Sequence, residues 1–162
     1  MSSISESDIR AGYQRHRDAS RQHLEAAIKA SEGYLLHRAG SLIHHYFSLL
    51  EDPEYPTAEF SELFAINFYL DFTMTQISTF AGFTDWLRTT RESVDALTIS
   101  VSDLDVIDDA GGTFTASMDI ELDAIGHDGE RKAMSTHHVW TIDDHGEDRF
   151  AKIVTMIVKM RT

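Results

Sequence analysis

The 162-residue sequence contains no cysteine. That excludes a disulfide framework, a thiolate metal site and a cysteine nucleophile. Proline is scarce, with two residues, and glycine numbers nine, so little of the chain has the composition of a linker. There is no internal repeat. No apolar run approaches the roughly 20 residues that span a bilayer. The opening stretch, MSSISESDIRAGYQRHRD, has no apolar signal core, so a cytoplasmic protein is expected. Positive charge is also short: 14 Lys and Arg stand against 27 Asp and Glu, for a net charge of −13, and no local basic cluster offsets it. Such a surface repels phosphate backbones and anionic lipid, which argues against nucleic acid and membrane partners.

What is present is ordinary for a globular domain: 42% apolar and 25% charged residues, on a chain long enough to bury a substantial core. Residues 1–33 read as a helical extension, capped by Ser5 or Ser7, with only a thin apolar stripe that fits a peripheral or partner-packing helix. From Tyr34 to Leu50, apolar residues recur at helical spacing (Leu35, Leu36, Ala39, Leu42, Ile43, Tyr46, Phe47, Leu50), and Asp52-Pro53 ends the run. A short helix capped by Thr57 and carrying Phe60, Leu63 and Phe64 follows. INFYLDFTMT (66–75) alternates and reads as the first strand. Gly82 then breaks the chain, and Thr84 caps a helix with Trp86, Leu87 and Val94.

Beyond Leu97 the pattern is antiparallel sheet. LTISVSDLDVIDD runs to the Gly111-Gly112 turn. In TFTASMDIELDAIG, Phe114, Ala116, Met118, Ile120 and Leu122 share one face, with polar residues on the other. KAMSTHHVWTIDD (132–144) and RFAKIVTMIVKM (149–160) form the last hairpin. Helices first and a meander second make an α+β pattern.

This element order, with the strings LIHHYFSLLEDPEYPTAEFSELFAINFYLDF and HHVWTIDDHGEDRFAKIVTMIV, resembles the SnoaL-like branch of the nuclear transport factor 2-like superfamily over roughly residues 34–160. The resemblance implies a cystatin-like cone over residues 34–162, in which helices pack on the concave face of a curved, mixed, mostly antiparallel sheet around an apolar cavity. It also implies a homodimer or higher homo-oligomer formed through the sheet.

Three residues are candidates for chemistry. Asp71 interrupts an apolar strand, where desolvation would make it a proton acceptor; the resemblance to ketosteroid isomerases places it at their general base. The same resemblance places Tyr46 at the oxyanion-hole tyrosine and His137 where those enzymes carry a donating Asp. Adjacent residues on a strand face opposite ways, so at most one of His137 and His138 enters the cavity, and the sequence leaves open which. A second dyad, His44 or His45 with Glu51 or Asp52, is a weaker alternative. Phe47, Phe68, Phe72, Trp86, His138 and Trp140 are expected to line the substrate pocket. The acidic residues from Asp103 to Asp123 read as a solvated outer face.

Two functions are expected from different classes. One is cofactor-free proton transfer on a small apolar cyclic substrate, as an isomerase, dehydratase or cyclase, with Asp71 as base and Tyr46 and His137 steadying an oxyanion. The other is a non-catalytic ligand-binding or assembly module resembling the small subunit of ring-hydroxylating dioxygenases. Neither calls for a cofactor, and no HExxH or His-x-Glu set suggests a metal.

Overall fold

The computed structural model describes residues 32–161. The expected extension over 1–33 and its Ser5 or Ser7 cap lie outside them but for its last two residues.

Helix α1, Glu32–Glu51, follows the predicted stripe and buries Ala39, Leu42, Ile43, Tyr46, Phe47 and Leu49. Its last carbonyls, which no helical N–H can reach, are taken by Arg91. The guanidinium donates to Leu49 O at 3.3 Å and Asp52 O at 3.0 Å, and also to Tyr55 O at 2.9 Å beyond the helix end. A 3-10 helix, Thr57–Leu63, buries Phe60 and Leu63. Its cap position is Pro56 rather than Thr57, and no side chain caps it.

Strand β1, Phe64–Asp71, stops before the expected Thr75. The Phe72 amide donates to the Thr75 carbonyl at 2.9 Å and Thr73 adopts φ 70°, so the chain folds back into the two-residue β2, Gln76–Ile77. Helix α2, Phe80–Ser93, begins earlier than Thr84. Thr79 is the cap and accepts from the Gly82 amide at 3.0 Å, while the Thr84 hydroxyl donates back to the Phe80 carbonyl. Gly82 therefore sits inside the helix. A Cβ there would lie 3.2 Å from Thr79 Oγ1, so glycine keeps that capping contact unobstructed.

Four long strands complete the chain: β3 (Val94–Asp108), β4 (Thr113–Gly126), β5 (Arg131–Asp143) and β6 (Lys152–Met160). Gly111 and Gly112, at φ 69° and 81°, make the β3–β4 turn in a backbone region that disfavours side chains. The sheet runs β2-β1-β6-β5-β4-β3, and every pairing is antiparallel except β1 with β6. Register shifts at Ser102/Asp105, Thr141/Ile142 and Phe64/Tyr69 mark where strands bend.

Register divides the sheet into two faces. Ala116 pairs with Trp140 and Met118 with His138, all buried, with Trp140 and His138 packed on Phe47 of α1. The opposite face carries Ser117, Val139 and Ile157 in one cross-strand row and Asp119 with His137 in the next. A part-buried ion pair, Arg38 Nε to Asp144 Oδ2 at 2.6 Å, ties α1 to the β5–β6 connection. Among the described residues, no helix is long and apolar enough to cross a membrane.

Candidate functional site

A cavity of about 1080 Å³ lies between α1, α2, the β1–β2 turn and the inward face of β3 to β6. Its wall is mostly apolar, because strands with one buried face send every second residue inward: Leu97 and Ile99 from β3, Ile120, Leu122 and Ala124 from β4, Val158 and Met160 from β6. Phe47 and Leu50 from α1, with Trp86 and Leu87 from α2, supply the helical side.

Two polar side chains mark its inner end. Tyr46 is 1% exposed and His138 7%, and both line the cavity. They pack on the same two rings: Tyr46 meets Phe47 and Trp140 edge-on with centroids at 5.2 Å, and His138 meets Phe47 at 5.6 Å. Burial pushes the Tyr46 phenol well above its ordinary value, so it stays protonated. Burial, reinforced by the neighbouring His137, pulls His138 down to about 4, so its ring is neutral at pH 7. The Trp140 indole Nε1, which can only donate, points at His138 Nδ1 at 3.1 Å. Nδ1 must therefore be the bare acceptor, and the single ring proton sits on Nε2.

The three residues expected to carry chemistry do not converge. Asp71 Cα pairs with Ile157, whose own partner is Val139, so its side chain leaves from the outward face. There its carboxylate accepts from the Thr73 amide at 2.9 Å and Gln76 Nε2 at 3.3 Å, capping the turn that ends β1. His137 also points outward; its Nδ1 lies 2.8 Å from Asp119 and holds that carboxyl below its ordinary range. Tyr46 alone of the three reaches the cavity.

Of the expected lining residues, Phe47, Phe72, Trp86 and His138 are present. Phe68 instead stacks on Phe64 at 4.6 Å within the core, and Trp140 is fully buried behind His138. Nor does the weaker dyad form. His44 is exposed, His45 stacks on Phe150, Glu51 accepts from the Ile99 amide at 2.7 Å, and Asp52 caps the Glu54 amide.

Several lining residues escape the sequence patterns. Thr136 lies between His138 and Met134 on the inward face of β5 and is buried. Met74, Met134 and Met160 line the cavity yet are 91%, 44% and 57% exposed, so they form an apolar rim. Also at the rim, the imidazole of His127 bridges the Asp95 carboxylate and the Glu92 main-chain carbonyl. Among the described residues, no group of three or more His, Asp or Glu could hold a metal ion.

No protein-family model matches the sequence, and no curated protein matches it. Solved structures do. A nuclear transport factor 2-like superfamily protein from Salmonella enterica superposes with a TM-score of 0.71 at 10% identity, over 82% of this chain and 94% of that one. A structure from Novosphingobium aromaticivorans, named as a candidate scytalone dehydratase, gives 0.70 at 8% identity over 78% and 84% of the two chains. The CaMKII hub of S. rosetta gives 0.65 at 9% identity over 77% and 95%. At these identities the likeness is one of fold: the chain has the nuclear transport factor 2-like, cystatin-like architecture.

Proposed function

We propose that the chain is a ligand-binding module whose cavity takes one small apolar molecule and which does not itself move protons on that molecule. The observation that carries this reading is that the inner end of the cavity offers donors and no base. Tyr46 keeps its proton, and His138 has committed Nδ1 to Trp140 and carries its proton on Nε2. Asp71 and His137, which a proton-transfer enzyme built on these residues would need, leave from the other face. The carboxylates that line the rest of the cavity each hold a partner: Glu51 Oε1 accepts from the Ile99 amide, Asp95 meets His127 and Asp128 accepts from the Glu130 amide. A large, mostly apolar concavity with a few convergent polar groups is the form small-molecule sites take, and binding there draws mainly on burial of apolar surface.

The test is titration with Nile red, an uncharged apolar dye, read by its fluorescence and by quenching of Trp86 and Trp140. One saturable site per chain is expected. Leu122→Trp, which projects an indole into the cavity, should weaken binding about tenfold or more. An absence of saturable binding in the unmodified protein overturns the reading.

A second reading, self-association through the sheet, is favoured by the outward face. Ile107, Thr115, Thr141, Thr155 and Tyr69 align in one cross-strand row, and Ser117, Val139 and Ile157 in the next, between Asp105 and Asp71. Tyr69, Ile107 and Val139 are among the exposed large apolar side chains. The two readings are compatible, because they use opposite faces of the same sheet.

A further inference from the structure

The cavity has a direction, and Trp140 sets it. A neutral imidazole is a donor at one nitrogen and an acceptor at the other, so an unconstrained His138 could meet either kind of ligand group. Here the indole N–H of Trp140 occupies Nδ1 at 3.1 Å. The opposite tautomer would set two N–H groups against each other in a buried site, at the cost of that hydrogen bond. Only Nε2–H remains for a ligand. Trp140 is fully buried and does not line the cavity, so it acts through His138.

From His138 the inward face of β5 runs past Thr136 to Met134, four residues or about 13 Å along the strand. Met160, whose neighbour Thr136 links the two across the β5–β6 pair, shares the exposed apolar rim with Met134. The inner end therefore donates, and the outer end on the β5–β6 side is the apolar methionine rim, with the charged groups of the mouth (Asp95, His127, Asp128) on the side of α2 and the β4–β5 turn. A ligand with an apolar leading end would leave Nε2–H buried and unpaired.

We propose that Trp140 is a positioning residue that fixes His138 as a hydrogen-bond donor, so that the cavity selects uncharged, elongated apolar molecules entering with an acceptor oxygen first and resting their apolar end on the methionine rim. This rests on the reading of the cavity as a ligand site. The acceptor class is that of ketones, aldehydes, esters and quinones.

The probes are 4-acetylbiphenyl and 4-ethylbiphenyl, near-isosteric rods that differ in one carbonyl. Long-range ¹⁵N–¹H spectra of the free protein should show His138 with its proton on Nε2, and that nitrogen should shift with the ketone and not with the hydrocarbon. The ketone should bind about tenfold more tightly. In Trp140→Phe, His138 should populate both tautomers and the preference should shrink towards unity, with hydrocarbon binding retained. A proton on Nδ1 in the unmodified protein, or equal affinities for the two probes, overturns the proposal while leaving the ligand site standing. Binding of neither probe by a protein that takes Nile red overturns the proposal alone, and failure of all three overturns both. Because the tautomer and the affinity ratio are read on the unmodified protein, the test survives a Trp140→Phe variant that does not fold.

Discussion

His138 couples the cavity to acid stability. Its folded-state value is near 4, against about 6.5 in an unfolded chain. Between those values the unfolded chain takes up a proton that the folded one refuses, so stability is present above pH 6.5 and drains as pH falls. The difference integrates to about 3 kcal/mol by pH 4. His138→Gln, whose amide oxygen can still accept from Trp140, removes that titration. Its urea-unfolding free energy should fall less steeply than the wild-type value between pH 6.5 and 4, and parallel curves would count against a neutral buried imidazole. The same residue shows where local pattern ends. The alternation of β4 put Phe114 to Leu122 on one face from sequence alone. The phase of β5 depends on the register across the His127–Glu130 turn, and a slip of one residue exchanges His137 for His138. Nothing within HHVW fixes that slip; the pairing of Met118 with His138 does. Asp71 misleads for a related reason: an apolar strand suggests burial, but as the strand's last residue it faces outward and caps a turn.

At the scale of elements, the mouth of the cavity is held by one imidazole. His127, in the β4–β5 turn, meets the Glu92 carbonyl near the end of α2 and the Asp95 carboxylate at the start of β3. Both partners are acceptors, so only the doubly protonated ring can donate to each. Consistently, the Glu92 carbonyl first and the Asp95 carboxylate second raise its value above the ordinary one, with a further contribution from Asp128. The sign is opposite to that of His138. The latch is fully present below about pH 6.5 and is lost as pH rises through the higher folded value. A titration followed by NMR should give His127 a midpoint above 6.5. Amide exchange at the end of α2 and in the β4–β5 turn, corrected for intrinsic rates, should rise across that midpoint and be pH-independent in His127→Gln. A midpoint at or below 6.5 would refute the bridge. Helix α1 and the body of β4 were legible because their periodicity is their own. This latch was not, because it joins positions 35 residues apart in sequence. The starts of the short helices were missed for a smaller reason: Thr57 and Thr84 look like caps, but Pro56 and Thr79 hold those places.

At the scale of the whole molecule, the parallel insertion of β1 beside β6 decides what the outward face becomes. It extends the rows of β3 to β6 by Tyr69 and Asp71, giving a five-strand surface of Thr, Ser, Val, Ile and Tyr with Asp105 and Asp71 at the two ends of the second row. Beside it lies the mixed-charge cluster of Asp119, Glu121, His137 and Arg161, in which Arg161 Nη1 reaches Glu121 at 3.2 Å. The acidic strands read in the sequence as a wet outer wall are this same face, but its cross-strand rows were hidden because no single strand contains them. Strands spaced about 4.8 Å apart with a rise of about 3.3 Å per residue give two such rows a footprint of a few hundred Å². That is below the roughly 800 Å² per partner of a standard interface, so a dimer formed here should be weak, with a dissociation constant in the micromolar range. Acidic and basic groups on one surface suit a two-fold contact, in which each patch meets its own copy. Sedimentation velocity from 1 to 200 μM should show a concentration-dependent shift from monomer to dimer. Val139→Glu, at the centre of the second row, places like charges opposite each other and should abolish that shift, leaving Nile red binding on the far side of the sheet unchanged. A monomer across the whole range would remove self-association through this face; a dimer that survives Val139→Glu would move the contact elsewhere.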